Sequence, residues 1–534
     1  MRITSQVHSA TKAARIWRLF RLAPLFLATP YIFSISTTAQ IGPPAQQQGT
    51  QATPLPLSGR TGQNGSVKAT QAPVLGTTTS VDTINPTVQV QGPYAGSTSS
   101  TSKMVFSGKL SLREAIQRGL EYNLGTVGMT QAERQAHGQS IAARSVLLPN
   151  LNGTLSETVE QEDLKALGLR IKVPIAGFTF PTIVGPFNYF DLRAHLTQNV
   201  VDLTALNNYR ASNESARANQ FATQDSRDLV VLAVGGTYLQ VIAAKARAES
   251  ARAQLDTANA LYQQTLQKRQ VGIAAQVDVD RSEVEALTQQ QRLLSLENDL
   301  SKQKINLARM TGLPPNEHYD VSDDVPFAAA PPVSVEDAFK QALDGRADLK
   351  AAEAQLRAAE RGRSAAKGEL LPSLSAAGDY GVIGTNPDQS HGTFTASATL
   401  RVPIWQGGRA KGDIEQADAA VAQRRAELED LKSQVESDIR EAYLDVQTAA
   451  SQVEVAQRNI HVTEESLNLT RQRYEAGVTD NVEVVQAQES VTSAKLDYIN
   501  SVFAHNAAKL SLARAMGRAA DNLPRFLNLS LNLQ

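Results

Sequence analysis

The chain states one pattern twice. Ser111, Ala115, Leu120, Arg134, Ala143, Leu147, Leu148, Pro149 and Leu151 recur without a gap, 223 residues later, as Ser334, Ala338, Leu343, Arg357, Ala366, Leu370, Leu371, Pro372 and Leu374. Farther on, Tyr238, Leu239, Gly272, Val277, Val279, Leu307, Ala308, Arg309 and Gly312 recur at an offset of 205 as Tyr443, Leu444, Gly477, Val482, Val484, Leu512, Ala513, Arg514 and Gly517. The 18-residue difference between the offsets falls between Leu151 and Tyr238, so the first copy carries an extra loop, expected within about Glu160 to Asn188. Two equivalent halves must then share one scaffold.

Each copy has the same parts. A helical segment ends at Leu147-Leu148-Pro149 or Leu370-Leu371-Pro372, where proline turns the preceding residue away from helix. Alternating tracts follow. In the first copy Phe190, Leu192, Ala194 and Leu196 share a face opposite Asp191, Arg193, His195 and Thr197; in the second, Phe394, Ala396, Ala398 and Leu400 oppose Thr393, Thr395, Ser397 and Thr399. Leu151–Val159 and Leu374–Val382 alternate more weakly. Period two predicts strands, and about ten residues suits a tilted membrane strand with one apolar and one polar face.

Two proline-free stretches, Leu203 to Arg269 and Gly408 to Glu475, then predict helices about 100 Å long at ~1.5 Å per residue. Ile414, Val421, Leu428, Val435, Ala442, Ala449 and Ala456 recur every seven residues, as do Val279, Ala286, Leu293, Leu300 and Leu307 on a returning helix. Such recurrence winds helices together with a left-handed supercoil. The turns fall at Gly272 and Gly477, so each copy ends in a slender helical hairpin.

Residues 1–39 carry Arg2, Lys12, Arg15, Arg18 and Arg21, no acid, and an apolar stretch from Leu22 to Ile35, which reads as a signal peptide, the alternative being a membrane anchor. Residues 40–107, rich in Gln, Thr, Ser, Gly and Pro, read as a disordered leader. The first repeat is expected at 108–313, a proline-rich linker at 314–332, the second repeat at 333–520 and a C-terminal tail at 521–534. Without the first 39 residues the chain has 47 basic and 53 acidic residues, a balance that excludes nucleic acid as a partner. Cysteine is absent, which excludes disulfides, thiolate metal sites and a lipid-modified cysteine. No other stretch offers the ~20 apolar residues of a spanning helix, so any membrane crossing must use strands.

Four strands cannot close a barrel, for which about eight is the smallest useful number, and an open edge in lipid strands backbone groups without partners. Several chains must therefore share one barrel. Their hairpins, pointing away from the strands, would form a tube on the same axis.

At this point the residues resemble the TolC-like outer-membrane efflux proteins, also called outer membrane factors. The resemblance covers about 110–520 and rests on Leu112-Arg113-Glu114-Ala115 and Val335-Glu336-Asp337-Ala338, the Leu-Leu-Pro-x-Leu junctions, Val402-Pro403-Ile404-Trp405-Gln406-Gly407-Gly408, and the tips Arg269-Gln270-Val271-Gly272 and Arg473-Tyr474-Glu475-Ala476-Gly477. It implies a mainly α fold in which a coiled-coil helical barrel crosses the periplasm and joins a transmembrane β-barrel, with four strands per protomer and twelve in a homotrimer. It implies an exit duct of a tripartite efflux or type I secretion system, a periplasmic adaptor and an inner-membrane pump as partners, and outer-membrane localisation.

Site residues follow from the same resemblance. Val271, Gly272, Ile273 and Ala274, with Ala476, Gly477, Val478 and Thr479, are implied adaptor contacts, although each glycine also suits the backbone of a helix end. Asp278 and Glu483 are implied acids of the periplasmic aperture; Asp480 with Glu483 also has the spacing of a capping box. Arg473 and Tyr474 are candidates for closing contacts. Tyr189, Phe190, Tyr380 and Trp405, together with Phe178, Phe180 and Phe187, read as membrane-interface aromatics. Histidines are scattered, no phosphate loop is present and no nucleophile pairs with a base, so neither an enzyme nor a cofactor is expected. The alternative is a periplasmic structural or adaptor coiled coil, against which the duplicated strand pairs argue.

Overall fold

Offsets of 223 and 205 residues reappear as two sets of matched elements. The computed structural model describes residues 51–53, 66–74, 83–98, 106, 108–168, 181–323, 325–517 and 519–527. The expected signal peptide, Phe178 and Phe180 lie outside the described residues. A hairpin of β1 (Val67–Val74) and β2 (Thr83–Val90) and a short strand β3 (Lys109–Leu110) precede the first repeat. That repeat contains α1 (Leu112–Tyr122), α2 (Leu124–Ser145), β4 (Asn150–Asp163), β5 (Ile183–Val201), α3 (Leu203–Gln270) and α4 (Gln276–Thr311). After β6 (Asp320–Val321) the second repeat supplies α5 (Val335–Gly345), α6 (Ala347–Gly368), β7 (Ser373–Gly384), β8 (His391–Arg401), α7 (Arg409–Glu475), α8 (Asn481–Ala515) and the added helix α9 (Ala519–Phe526).

The extra residues of the first repeat lie in its strand hairpin. Strands β4 and β5 have 14 and 19 residues, whereas β7 and β8 have 12 and 11. All four pair antiparallel in the order β4-β5-β7-β8, so the two repeats share one sheet and β4 and β8 are its edges.

Helices α3 and α7 have 68 and 67 residues, or about 100 Å each. Val421, Leu428, Val435, Ala442, Ala449 and Ala456 are buried, as the seven-residue recurrence requires. Half of these seam residues are alanine, which allows close approach of the helices but little burial per residue. Larger side chains gather in two clusters, one between the halves and one within the second. Leu110, Leu112, Ile116, Val230, Val234, Tyr238, Leu307 and Leu510 form one core, and Leu349, Leu428, Val435, Ile439, Leu512, Met516 and Phe526 form a second. Beside them Arg346 pairs with Asp348 at 2.7 Å and Asp438 at 3.1 Å, and Arg514 pairs with Asp225.

The leader departs from its expected disorder. Val67, Val88 and Tyr94 are buried, and a Cβ on Gly236 of α3 would stand 2.7 Å from the Val88 side chain. Nearer the sheet, the Asn208 amide donates to the Gln51 carbonyl at 2.8 Å and accepts from the Thr53 N–H at 3.1 Å. The Ala52 N–H donates to Glu369, which also pairs with Arg409 at 2.7 Å. A low apolar content argues against a core of its own, but these few side chains and main-chain groups need only a groove on another element. The C-terminal end is also anchored: Leu523, Phe526 and Leu527 are buried, and just before the tail the Ala519 N–H donates to Asp228 at 2.9 Å.

The linker is held by α8. Asn506 donates to the Val325 carbonyl at 3.1 Å, Lys509 donates to the Ala328 carbonyl at 2.7 Å, and the Phe327 ring lies 4.8 Å from that of His505. His505 is fully buried, and neither ring nitrogen has a hydrogen-bond partner among the described residues. Burial, with Lys509 nearby, pushes its pKa down to about 4.

Two outcomes are expected. Gly236→Leu should dislodge β1–β2 at a cost of about 1–3 kcal/mol, seen as new protease cleavage within residues 66–98. His505 binds its proton less readily folded than unfolded, so its contribution is complete above pH ~6.5 and is lost as pH falls towards 4. Thermal melts of wild type should lose stability across that window, and His505→Phe should flatten the loss.

Candidate functional site

Two surfaces combine exposure with ordered polar groups: the hairpin tips and the sheet. At the first tip the Ile273 N–H donates to the Lys268 carbonyl at 2.8 Å and the Gly272 N–H to the Arg269 carbonyl at 3.0 Å. At the second, Val478 donates to Arg473 at 2.9 Å and Gly477 to Tyr474 at 3.1 Å. These are paired Schellman closures, which need a left-handed residue; Gly272 has φ 78° and Gly477 φ 71°. The flanking Val271, Ile273 and Val478 are 69%, 77% and 67% exposed. Ala274 and Thr479 complete the predicted set, with Ala274 half-buried and its N–H 3.3 Å from the Lys268 carbonyl.

The tips of the two repeats touch. Asn481, which is buried, donates from its amide to the Asp278 carbonyl at 3.2 Å, and the Lys268 ammonium lies 4.0 Å from the centroid of the Tyr474 ring. Arg473 reaches Glu483 at 3.4 Å across its own hairpin. Asp480 caps α8 by accepting from the Val482 and Glu483 N–H groups at 3.1 and 3.4 Å. Thus Glu483 joins α8 to α7, while Asp278 takes the local capping role, accepting from the Ala275 N–H at 3.3 Å. Sequence spacing alone identified neither Lys268 nor Asn481 as a contact, since their partners lie in the other repeat.

The sheet is two-faced along most of its length. Leu151 opposes Leu196 and Leu155 opposes Leu192; on β5 and β7 Leu192 opposes Val382 and Ala194 opposes Tyr380; Tyr380 opposes Phe394 and Leu374 opposes Leu400. Period two makes these one apolar face, from which Phe394 is 78% exposed. Beyond β8, Val402 keeps the parity of that face, and Ile404 and Trp405, which lie outside any strand, are 95% and 88% exposed. Phe190 joins it opposite Gly384, at the far end of β7. Tyr189 does not: it pairs with Thr158 on the opposite face, a placement its shared parity with Asp191 already encodes. On that polar face Arg193 donates to Asp379 at 2.5 Å, to Asp191 at 3.2 Å and to Thr393 at 3.5 Å, while His195 meets Thr154 at 3.2 Å.

A family profile described as outer membrane efflux protein matches residues 126–313 and 338–518. Outer membrane protein OprJ of Pseudomonas aeruginosa is 26% identical over 339 residues, 59% of this chain and 66% of its own length. The match thus spans just under two-thirds of that curated relative. Outer membrane protein TolC of Vibrio cholerae is 21% identical over 414 residues, 75% of this chain and 90% of its own. Among solved structures, the Campylobacter jejuni CmeC outer membrane channel superposes with a TM-score of 0.67 at 17% identity, covering 85% of this chain and 100% of CmeC.

The tip glycines have nothing within 4 Å of an added Cβ, so their requirement is conformational rather than steric. Gly477→Val should loosen its tip by about 1–2 kcal/mol, whereas Gly477→Asn, which tolerates the left-handed region, should cost less. Amide hydrogen exchange at residues 474–480 checks the order; equal effects would point to a steric role.

Proposed function

Because this chain belongs to the outer membrane efflux protein family, we propose that it is the outer-membrane exit duct of a tripartite export system. The observation that carries this reading is the two-faced sheet with both edges open, attached to helical hairpins about 100 Å long. In a bilayer the edges of β4 and β8 need partners, and their directions allow β8 of one copy to pair antiparallel with β4 of the next. Three copies close a barrel of twelve strands. Exposed apolar residues on the helices support the same ring: Val277, Val284, Leu287 and Leu294 on α4, and Leu444, Val455, Val462 and Leu469 on α7. The strands lie in the outer membrane and the helices in the periplasm. These features favour the duct over a periplasmic adaptor.

Phe190 at one rim and Trp405 at the other bracket an apolar band whose β7 and β8 strands are 12 and 11 residues long, a suitable membrane span. Tyr380 lies between the rims. The exposed residues Val271, Ile273 and Val478 offer an apolar docking surface to a periplasmic adaptor, which would connect the duct to an inner-membrane pump. Asp278 and Glu483 put carboxylates at the entrance of each repeat, where the field of three copies would favour cations. The Lys268–Tyr474 and Asn481–Asp278 contacts join the two tips in a closed arrangement that adaptor engagement would separate, while Arg473–Glu483 braces the second hairpin.

Heat-modifiable trimers in the outer-membrane fraction, with ion conductance in planar bilayers, are the expected outcome; a water-soluble monomer would overturn the duct. Combining Tyr474→Phe with Arg473→Ser tests the closing contacts less stringently than combining Lys268→Ser with Arg473→Ser, because Tyr474→Phe leaves the ring for the ammonium. Single-channel conductance should rise severalfold in the Lys268→Ser/Arg473→Ser protein and little in the other.

A further inference from the structure

From the polar face of the sheet we infer that Asp191, Arg193 and Asp379 form a charge belt inside the β-barrel that favours cationic over anionic cargo, independently of the periplasmic entrance. This rests on the duct reading above. Arg193 stands across from Gly381 and Asp379 across from His195, midway along the shared sheet. On the other face, Leu192 and Ala194 occupy the same level of β5. An arginine facing lipid there would cost about 2–4 kcal/mol, so the polar side must face water.

The geometry also decides the sign of the belt. Arg193 reaches both carboxylates, at 2.5 Å to Asp379 and 3.2 Å to Asp191, which spreads its guanidinium between β5 and β7 and away from free projection into the bore. Gly381, opposite Arg193, has no side chain to displace it; a Cβ there would lie 2.5 Å from the Leu192 carbonyl and 3.0 Å from the Arg193 Cβ. Two carboxylates and one guanidinium leave one net negative charge per protomer and three around the bore. Thr393, which accepts from Arg193 at 3.5 Å, and Thr395, the pairing partner of Asp379, add neutral hydroxyls. Arg401 is the other cation on this face of β8, but it pairs with Ser373 at the helix-side end of the sheet. From the six-residue separation of 395 and 401, it is about 20 Å along the strand, beyond the ~8 Å Debye length at physiological ionic strength.

The belt is an electrostatic filter and not a steric one. At ~0.15 M salt its field hugs the wall, and at ~0.01 M, with a Debye length of ~30 Å, it fills a twelve-strand bore. Anionic solutes near the wall are therefore depleted, and cations enriched, most strongly in dilute salt.

A local probe separates the belt from the entrance. The chain has no cysteine, so Thr395→Cys would provide a single thiol across from Asp379. Folded trimers in vesicles are treated with a cationic trimethylammonium or an anionic sulfonate methanethiosulfonate, and the ratio of modification rates reports local potential. The expected ratio, corrected by free thiol rates, favours the cation by about threefold to tenfold at ~0.01 M salt and shrinks towards one at ~1 M. Adding Arg193→Gln should raise the ratio and Asp379→Asn lower it, with Arg193→Lys near the starting value. A ratio of one in dilute salt, or a ratio unmoved by both Arg193→Gln and Asp379→Asn, would overturn the belt while leaving the duct intact. If Thr395→Cys resisted both reagents in trimers while Phe394→Cys reacted, the polar face would not line water, and the duct reading itself would fail.

Discussion

Unpaired backbone along the outer edges of β4 and β8 is the constraint on which the rest of this structure depends. A four-stranded antiparallel sheet with an apolar and a polar face can be stable against a core, but here the apolar residues Leu151, Leu155, Leu192, Tyr380, Phe394 and Leu400 remain exposed. Lipid satisfies the side chains and cannot satisfy the edges. The proposed closure through identical copies would meet both needs and turn the polar face, with Arg193 and its two carboxylates, to the inside. The same closure would align the helices, since each repeat leaves the sheet for a helix of nearly seventy residues, through Asp202 in the first and through residues 402–408 in the second.

Long helices with alanine seams gain little from burial per turn, so the chain concentrates larger side chains at mid-length. There the leader, linker and C-terminal helix all converge. Tyr238 illustrates the arrangement: its hydroxyl lies 2.9 Å from the Leu110 carbonyl and 3.1 Å from Asp323, so α3 is tied to the start of its repeat and to the linker. Burial and the nearby Asp323 carboxylate push that hydroxyl well above its ordinary pKa, which keeps it neutral. The tips are far from this belt of packing and rest on a few polar contacts, so stability is unevenly distributed along the helices.

Duplication does not make the halves identical. At the junction between its first two helices, repeat one has Asn123 and Gly125, whereas repeat two has Arg346 and Asp348. Asn123 is buried and donates to the Tyr94 carbonyl at 2.7 Å, so the folded leader completes this junction. Arg346 instead binds Asp348 and Asp438 within its own repeat. One junction is closed by a segment from outside the repeat and the other by ion pairing, although both α1 and α5 have 11 residues and both α2 and α6 have 22.

Periodicity made much of this legible before any coordinates. Seven-residue recurrence marked the buried seam of α7, alternation marked both faces of the sheet, and glycine marked both tips, because each is a local pattern imposed by backbone geometry. Even the face occupied by Tyr189 was encoded in its spacing from Asp191. Contacts between distant segments were not. Val67, Val88 and Tyr94 look too sparse to order a leader until α3 and α8 provide the surface that covers them. Glu483 has the spacing of a cap but meets Arg473 across the hairpin, and Arg193 finds Asp379 only once the register of β5 on β7 is set, 186 residues apart. Sequence alone therefore determined the elements, their duplication and their amphipathic faces, for these arise from neighbours along the chain; tertiary structure decided which charges meet and which sparse segments are held, because those energies exist only between surfaces that folding brings together.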